Sequence, residues 1–291
     1  MFIAMPCYNR ASFFIANKKE VNHMKHCLTI AGSDCSGGAG IQADLKAFSA
    51  LGTFGMSVVT SVVAENTSRV LSIFDVPPES VAAQIDAVFE DIRVDAVKIG
   101  MLPSAAIIKT VAEQLRRYVP PFVVLDPVMV ATSGGTLMQN EAVETLMTEL
   151  FPLADLLTPN IPEAEAICGK KIETQADMEA AAKQICATGA KAVLIKGGHL
   201  TGEALDILYD GSAFHTFTHA RIASTSTHGT GCTLSSAIAA YLARGCSLKE
   251  AVANAKSYVT EAIRHAEADI GRGNGPTNHF YDYYSLKGWD K

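Results

Sequence analysis

Apolar segments of strand length alternate with segments of helical periodicity along this chain. The first, His26 to Ala31, leads into a glycine-rich loop, and the next segment carries Leu45 and Phe48 on one helical face. Further strand-like runs follow at 95–101, 122–126, 155–158 and 191–196. Such alternation is typical of βαβ units, in which helices cover both faces of a parallel sheet. The sequence therefore predicts one α/β domain with a central, mostly parallel sheet.

The remaining segments refine this prediction. Residues 56–64 are rich in β-branched side chains and predict a single strand, whereas residues 70–76 predict a strand at an edge or in a lid. Pro78 begins a helix at a position that proline favours. The turn at 210–212, Asp-Gly-Ser, separates the two strands of a predicted hairpin. The last third is predicted to be helical, at 232–244 and 248–269.

Composition and charge exclude several functional classes. The chain has 291 residues, of which 48% are hydrophobic, enough to bury a large core. Its net charge of -6, without a basic run, argues against a nucleic-acid-binding surface. No apolar run is long enough to span a membrane. The seven cysteines form no CxxC pair, so neither a zinc site nor a disulfide framework is indicated, and we expect a reducing, cytoplasmic compartment.

The amino-terminal segment, residues 1–23, precedes the first predicted strand. Its apolar run at 13–16 is too short for a signal-peptide core and is followed by Lys18 and Lys19. Two interpretations stay open: a disordered extension, or a start assigned upstream of Met24. A transit peptide is a further alternative. In each case we expect the domain to span residues 24–291.

The loop at 227–233, Thr-His-Gly-Thr-Gly-Cys-Thr, precedes a predicted helix. Two glycines allow the backbone to approach an anion closely, and a helix start leaves main-chain N–H groups without partners. The amides of residues 229–232 are therefore a candidate anion hole for a transferring phosphoryl group. A thiol on this first turn should have a lowered pKa, so we expect Cys232 to be partly thiolate. The alternative is a plain tight turn before a core helix.

Six motifs in a defined order carry a resemblance to a known family. They are LTIAGSDCSGGAGIQADLKAFSALGTFGMSVVTSVVAENT at 28–67, KIGML at 98–102, VVLDPVM at 123–129, LLTPNIPEA at 156–164, IKGGH at 195–199 and THGTGCTLSSAIAA at 227–240. From about residue 25 to residue 280 the chain resembles the hydroxymethylpyrimidine/phosphomethylpyrimidine kinases of thiamine biosynthesis, within the ribokinase-like superfamily. The resemblance implies a sheet of about nine strands with helices on both faces and a pocket above the carboxyl ends of the strands.

The resemblance also implies an activity and its partners. Relatives of this kind use ATP and Mg²⁺ to phosphorylate a small pyrimidine alcohol and then its monophosphate, and they are usually homodimers. The catalytic positions implied are Gly229, Thr230, Gly231 and Cys232. The implied contacts of the pyrimidine are Gly32, Asp44, Val63, Glu65, Met101 and Val128, together with Cys232.

Glu65 is the candidate residue for recognising the pyrimidine. An aminopyrimidine presents an exocyclic N–H donor beside a ring-nitrogen acceptor, and the resemblance implies Gln or Glu at this position. A Gln amide matches both groups, whereas a carboxylate matches only the donor unless it shares a proton with the ring nitrogen. We therefore expect binding to weaken as the pH rises above the pKa of that proton. The alternative is a solvated carboxylate at a strand end.

A second set of polar residues predicts the metal and nucleotide end of the site. Asp126 ends a buried strand, where a charge needs a partner. The resemblance implies that Asp126 and Glu163 hold magnesium, and that Asn160 and Lys196 bind the nucleotide. The alternatives are structural: Asn160 as a helix N-cap, Glu163 as a first-turn partner of the helix dipole, and Lys196 as a surface lysine.

Cys232 departs from the pattern of the wider superfamily. Sugar and nucleoside kinases that this chain resembles usually carry Asp at this position, which provides an evident general base. A thiolate would have to replace it here, and phosphoryl transfer depends mainly on positioning and charge stabilisation, so a weak base suffices.

Three alternative functions stay open. Pyridoxal or pyridoxine kinase activity would use the same pocket, although Glu65 favours an aminopyrimidine. A non-catalytic vitamin-binding relative is a second alternative, but the anion-hole and magnesium positions are all present. A Rossmann oxidoreductase is a third, but the loop at 32–40 does not match GxGxxG cleanly.

Overall fold

The structure, a computed structural model, describes residues 23–129, 140–198 and 204–288. The extension predicted at 1–23 lies outside the described residues except for His23. The strands are β1 His26–Ala31, β2 Phe54–Val59, β3 Ser61–Asn66, β4 Arg69–Asp75, β5 Ala96–Ile99, β6 Val123–Leu125, β7 Leu156–Leu157, β8 Val193–Lys196, β9 Ala204–Tyr209 and β10 Phe214–His219. The helices are α1 Gly40–Ala50, α2 Pro78–Phe89, α3 Ala105–Tyr118, α4 Asn140–Thr145, α5 Ile161–Cys168, α6 Gln175–Cys186, α7 Thr230–Ala243, α8 Leu248–Arg264 and α9 Tyr281–Lys287.

Eight of the described strands form one sheet in the order β10-β9-β8-β7-β6-β5-β1-β2. The six strands from β8 to β2 run parallel, and the hairpin of β9 and β10 adds two antiparallel strands at one end. The predicted hairpin and the mostly parallel sheet are thereby confirmed. The sheet has eight described strands where about nine were expected, because β3 and β4 form a separate two-stranded sheet.

Alternate residues of the central strands contribute to two separate cores, one on each face of the sheet. In β1, Leu28 and Ile30 pack into a core with α2, α3, α5 and α6, whereas Cys27 packs into the other core with α1, α7 and α8. In β6, Leu125 and Val124 divide in the same way. A strand that is apolar on both sides can be buried on both, so the uninterrupted apolar runs of the sequence belong in this sheet.

The prediction of one strand at 56–64 is wrong, because the chain leaves the main sheet at Thr60. The Thr60 amide donates to the Ala31 carbonyl at 2.9 Å, and its hydroxyl donates to the Met101 carbonyl at 2.9 Å. Beyond this anchor β3 pairs with β4 in antiparallel register. The predicted strand at 70–76 is therefore confirmed as part of a lid over the carboxyl ends of the strands.

The helix predicted at 248–269 ends five residues early, at Arg264. The carbonyls of its last turn are taken by the returning chain: the Asn278 amide donates to the Ala262 carbonyl at 2.9 Å, and the Asn278 side chain donates to the His265 carbonyl at 3.2 Å. Capping of this kind satisfies acceptors that the helix leaves open and ends it.

The parallel arrangement brings the carboxyl ends of β1, β5, β6, β7 and β8 to one edge, with the first turn of α7 beside them. This edge is where ligands bind in open α/β sheets. Within the described part of the chain, no helix is both long and apolar enough to cross a membrane.

Candidate active site

A cleft of about 650 Å³ opens at this edge of the sheet. It collects nearly all of the predicted site residues, although they come from six separate segments of the sequence. Its lining includes Gly32, Val63, Glu65, Met101, Asp126, Val128, Asn160, Glu163, Lys196, Gly229, Thr230, Gly231 and Cys232. Asp44 does not line the cleft; it is fully buried behind the wall.

The turn at Gly229 places the start of α7 against the loop between β1 and α1, residues 32–39, which we call the substrate loop. Gly229 has φ of 76°, in the left-handed region, and a Cβ there would collide with the carbonyl of Gly38. Only glycine combines that backbone conformation with so close an approach. The glycine is therefore required for the contact between the two loops.

The first turn of α7 offers unpaired main-chain donors to the cleft. The Thr230 amide donates to the Thr227 carbonyl at 3.3 Å, and no side chain caps the helix. Within the described residues, the amides of Gly229, Gly231 and Cys232 have no hydrogen-bond acceptor. A helix N-terminus with open N–H groups favours an anion. The arrangement therefore suits the predicted anion hole.

The expectation that Cys232 is partly thiolate is wrong for the protein without ligands. Burial raises the pKa of the Cys232 thiol to about 11, against the opposing effect of the Lys98 ammonium. The carboxylates of Asp44 and Asp126 raise the pKa further. Desolvation and two nearby anions thus outweigh the Lys98 ammonium and the hydrogen bond with the Gly40 main chain, so the thiol is protonated at neutral pH.

Asp126 and Lys196 form an ion pair directly below the start of α7. Lys196 Nζ lies 2.7 Å from Asp126 Oδ1, and the Lys196 side chain is 14% exposed. Burial alone would lower the pKa of Lys196, but the carboxylates of Asp126 and Glu163 raise it, so the lysine remains charged. A Cβ at Gly231 would lie 3.4 Å from Lys196 Nζ and 3.5 Å from Asp126 Oδ2. The pair is therefore in close contact with the proposed anion hole.

Asn160 and Glu163 form a capping box at the start of α5. The Asn160 side chain accepts from the Glu163 amide at 2.9 Å, and the Glu163 carboxylate accepts from the Asn160 amide at 2.8 Å. Both residues thus have the structural role that the sequence left open, and both also line the cleft. Burial raises the pKa of Glu163 to about 7, with Lys196 opposing the shift.

The lid strand β3 supplies the other wall of the cleft. Val63 and Glu65 point inward, opposite Met101. A Cβ at Gly32 would lie 2.6 Å from the Met101 methyl group, so the glycine lets this side chain pack against the substrate loop. Burial and the neighbouring Asp34 raise the pKa of Glu65 to about 7, while His228 opposes the shift.

The sequence of this chain matches the pattern of the phosphomethylpyrimidine kinases over residues 34–278. This chain belongs to the phosphomethylpyrimidine kinase family. The matched region, residues 34–278, contains every cleft-lining segment that follows residue 34, so the family match covers nearly all of the cleft.

Two relatives agree with this assignment to the phosphomethylpyrimidine kinase family. The hydroxymethylpyrimidine/phosphomethylpyrimidine kinase of Rhizobium meliloti is 52% identical over 260 residues, covering 88% of this chain and 97% of that protein. The thiamine biosynthesis bifunctional protein ThiED of Geobacter sulfurreducens is 55% identical over 253 residues, covering 87% of this chain and 51% of that protein. This chain therefore spans about half the length of the bifunctional relative.

Solved structures agree on the fold. The phosphomethylpyrimidine kinase of Clostridium difficile 630 superposes with a TM-score of 0.75 at 51% identity, covering 82% of this chain and 99% of that one. The Bacillus subtilis pyridoxal kinase, solved as an ADP complex, superposes with a TM-score of 0.82 at 39% identity, covering 91% of this chain and 99% of that one. This member of the phosphomethylpyrimidine kinase family has the ribokinase-like fold.

The polar side chains of this phosphomethylpyrimidine kinase family member fit a magnesium ion at Asp126. Asp126 Oδ1 is occupied by Lys196 and by the Thr158 hydroxyl at 3.0 Å, but Oδ2 has only a long contact of 3.4 Å from the Ser235 hydroxyl. Glu163 accepts from main-chain amides. Carboxylate oxygens are suitable ligands, and magnesium keeps several waters. Asp126, with the nearby Glu163, would therefore be the residues that hold the ion.

Lys98 is a residue of the cleft that the sequence interpretation missed. Its ammonium lies 2.8 Å and 2.9 Å from the two oxygens of Asp44, and both side chains are fully buried. Asp44 also accepts from the hydroxyls of Thr29 and Ser236, each at 2.6 Å. The Asp44 carboxylate is thus saturated by protein donors, and Lys98 lines the cleft in its place. An isolated lysine within an apolar strand was the available signal.

The pair of Asp34 and His228 was also missed. His228 Nε2 lies 2.8 Å from Asp34 Oδ2, and the same carboxylate accepts from the amides of Ser36, Gly38 and Ala39. The pair joins the substrate loop to the turn before α7. Glu65 completes a cluster in which one ligand atom of each residue lies within 4.8 Å of the others. Asp34 and His228 are 194 positions apart in sequence, so no local pattern could associate them.

Proposed function

We propose that this chain transfers the γ-phosphate of ATP to the hydroxymethyl group of 4-amino-5-hydroxymethyl-2-methylpyrimidine, and then a second phosphate to the monophosphate. The observation that carries the proposal is one cleft in which open amides at the start of α7 lie beside the Asp126–Lys196 pair, with Glu65 on the opposite wall. The names of the relatives support the same reaction.

The pyrimidine binds between the lid and the substrate loop. Val63, Met101 and Val128 supply apolar contacts for a flat ring. Glu65 hydrogen-bonds to the edge of the pyrimidine. A neutral carboxyl offers one O–H donor and one acceptor, which match the ring nitrogen and the exocyclic amine. With a pKa of about 7, Glu65 is available in its neutral form near physiological pH. The hydroxymethyl group then faces the first turn of α7.

Transfer depends on positioning and charge stabilisation. The amides of Gly229, Gly231 and Cys232 donate to oxygens of the transferring phosphoryl group, where negative charge increases. Lys196 supplies a point charge beside them. Asn160 also lines the cleft, and we assign it to the nucleotide. Asp126, with Glu163 nearby, would hold Mg²⁺, which would neutralise charge on the phosphates when bound.

Cys232 acts from the same turn. Because its thiol is protonated at neutral pH, it serves first as a hydrogen-bonding partner of the acceptor hydroxyl. The Lys98 ammonium favours loss of the thiol proton, and the opposing carboxylates of Asp44 and Asp126 limit that effect. Because a protonated thiol cannot accept the hydroxyl proton, that proton is lost late, to an oxygen of the transferred phosphoryl group, which a transition state of mainly dissociative character permits.

The protein works as a homodimer in the cytoplasm. The outer face of the two-stranded lid exposes Val62 and Phe74, which lie opposite each other, and Phe74 is 70% exposed; Leu71 of β4 is also exposed. An apolar patch of this kind on a lid is typical of an interaction surface. A second copy of the chain is the partner that covers it.

Pyridoxal phosphorylation is the second candidate function. The structural similarity to a pyridoxal kinase, with a TM-score of 0.82, favours it. Glu65 does not, because pyridoxal lacks the paired donor and acceptor of an aminopyrimidine edge. Pyridoxal is therefore expected to be a poorer substrate.

One assay tests both candidates. Purified protein is given ATP, Mg²⁺ and one acceptor at a time: the hydroxymethylpyrimidine, its monophosphate or pyridoxal, with products identified by mass. We expect a monophosphate and a diphosphate from the two pyrimidines at higher kcat/KM than for pyridoxal. An Asp126→Asn variant controls for contaminating kinases. Preferred turnover of pyridoxal, or no turnover of the pyrimidine, would reject the main proposal.

A further inference from the structure

The outer edge of the lid strand β3 is paired with the substrate loop instead of with another strand. The Ser33 amide donates to the Ser61 carbonyl at 2.8 Å, and the Ser33 hydroxyl accepts from the Val63 amide at 3.2 Å. Two residues further along each segment, the Cys35 sulfur both donates to the carbonyl and accepts from the amide of Glu65. The contacts recur at every second residue of β3, as they would in a ladder between strands.

Cys35 contacts both hydrogen-bonding groups of the Glu65 main chain. Its sulfur accepts from the Glu65 amide at 3.4 Å and its S–H donates to the Glu65 carbonyl at 3.1 Å. Thiols make weak hydrogen bonds, but here two of them act on one residue. Within the described residues, no other side chain contacts the Glu65 main chain by a hydrogen bond.

The pairing of β3 with β4 is irregular at Glu65, so hydrogen bonds from Cys35 add a restraint there. Between Ala64 and Glu65 the register of β3 with β4 shifts: Ala64 faces Ser72, but Glu65 faces Val70. Leu71 is the additional residue and is 58% exposed. Bulges of this type change the direction of a side chain and interrupt the ladder. Glu65 is therefore less restrained by β4 than the residues before it.

The same alternation directs side chains into the cleft. Ser61, Val63 and Glu65 face inward, whereas Val62 and Ala64 are exposed. Any shift of the β3 main chain at Glu65 therefore moves the carboxyl group that reads the substrate edge. A hydrogen-bonded pair with a flat ring tolerates little displacement.

We propose that Cys35 is a positioning residue: it holds the Glu65 main chain so that the Glu65 carboxyl group can hydrogen-bond to the edge of the aminopyrimidine. The inference rests on the proposed function, since it assigns to Glu65 the recognition of the substrate. Cys35 acts through the Glu65 main chain and does not line the cleft. Its effect should therefore appear in acceptor binding and not in phosphoryl transfer.

Steady-state kinetics of Cys35→Ala and Cys35→Ser test the proposal, with the hydroxymethylpyrimidine and ATP varied in turn. We expect Cys35→Ala to raise KM for the pyrimidine about three- to tenfold, the loss of about one net hydrogen bond, with kcat and KM for ATP unchanged. Cys35→Ser should recover most of this loss, because a hydroxyl both accepts and donates. Cys186→Ala is the matched control, since the Cys186 sulfur also bonds a main-chain carbonyl, that of Ala190 at 3.1 Å, away from the cleft.

A double-mutant cycle distinguishes positioning of Glu65 from a general effect on the lid. If Cys35 acts through Glu65, Cys35→Ala should change KM less than twofold in a Glu65→Ala background. Full additivity of the two changes would overturn the inference, as would an unchanged KM in Cys35→Ala itself. An inactive wild type rejects the proposed function together with this inference, whereas an active wild type with unresponsive Cys35 variants rejects the inference alone.

Discussion

Glu65 lies at the border between the lid and the cleft, and its protonation is the residue-scale property on which recognition depends. Its carboxyl is half-buried, next to the Asp34–His228 pair. Burial and Asp34 raise its pKa to about 7, despite the imidazole of His228. The neutral form therefore coexists with the carboxylate in the physiological range. Only the neutral form presents both a donor and an acceptor to the pyrimidine edge.

The first prediction concerns the pH dependence of substrate binding. Because the neutral carboxyl is the proposed binding form, affinity is complete only well below the pKa of about 7 and falls as the pH rises through it. KM for the hydroxymethylpyrimidine should rise towards about tenfold per pH unit above that point. In Glu65→Gln the amide does not titrate, so KM should stay flat from about pH 6 to pH 9. Parallel pH profiles in the two proteins would contradict the interpretation.

The second prediction concerns Cys232, whose thiol is protonated at neutral pH. Cys232→Ala removes the side chain that we propose contacts the acceptor hydroxyl but keeps the amides of the turn. We expect kcat to fall about ten- to hundredfold, at or below the lower end of general-base effects, with KM for ATP unchanged. Cys232→Ser is the conservative control. Turnover near wild type in the alanine variant would leave only the amides in the catalytic role.

At the scale of elements, the start of α7 is held by buried polar contacts with β1, β5 and α1. Lys98 in β5 pairs with Asp44 in α1, which also accepts from Thr29 in β1 and Ser236 in α7. Four elements thus meet at one carboxylate behind the cleft. The network positions the anion hole relative to the sheet. Asp44 was expected to touch the pyrimidine, and its position gives it a supporting role instead.

The third prediction tests this network. Lys98→Met leaves the Asp44 carboxylate buried with only hydroxyl donors, so the free energy of unfolding should fall by about 3–5 kcal/mol. The double variant Lys98→Met/Asp44→Asn removes the uncompensated charge and should recover most of the loss. Urea denaturation measures both.

An exposed pair provides the matched control for this experiment. Lys191 pairs with Asp155 at 2.6 Å, but the lysine side chain is 72% exposed. Lys191→Met should therefore cost less than about 1 kcal/mol. Equal losses of unfolding free energy in the Lys98 and Lys191 variants would contradict the prediction, because the buried pair would then contribute no more than the exposed one.

At the scale of the whole molecule, the lid has two faces with different roles. Its inner face supplies Val63 and Glu65 to the cleft, and its outer face exposes Val62 and Phe74, which are directly opposite each other in the ladder. A two-stranded sheet is marginal by itself. Covering the outer face with a second copy would stabilise the lid and thereby the recognition residue.

The fourth prediction follows for the oligomeric state. Phe74→Asp places a charge in the centre of the exposed patch and should shift the protein from dimer to monomer in sedimentation velocity. Val119→Asp is the control, since Val119 is 74% exposed at the end of α3 and lies outside the lid. A wild type that sediments as a monomer at micromolar concentration would contradict the prediction, as would equal effects of the two substitutions.

Local patterns were sufficient to predict most elements of this fold. β1 was predicted at its observed limits, since an apolar run before a glycine-rich loop has few other interpretations. The helix start at Pro78 follows from local backbone chemistry, whereas the helix predicted from Cys232 begins two residues earlier, at Thr230. The break at Thr60 could not be predicted, because the β-branched residues on both sides suit a strand equally well, and only contacts with Ala31 and Met101 divide them.

The amino-acid sequence by itself determined the α/β class, the order of the motifs and the residues that gather at the carboxyl ends of the strands. These properties depend on periodicity and on loop chemistry, which are local. The tertiary structure alone decided the raised pKa values of the Cys232 thiol and the Glu65 carboxyl, and the burial of the Asp44–Lys98 pair. Burial and distant charges set a pKa, and both arise only when segments far apart in sequence are packed together.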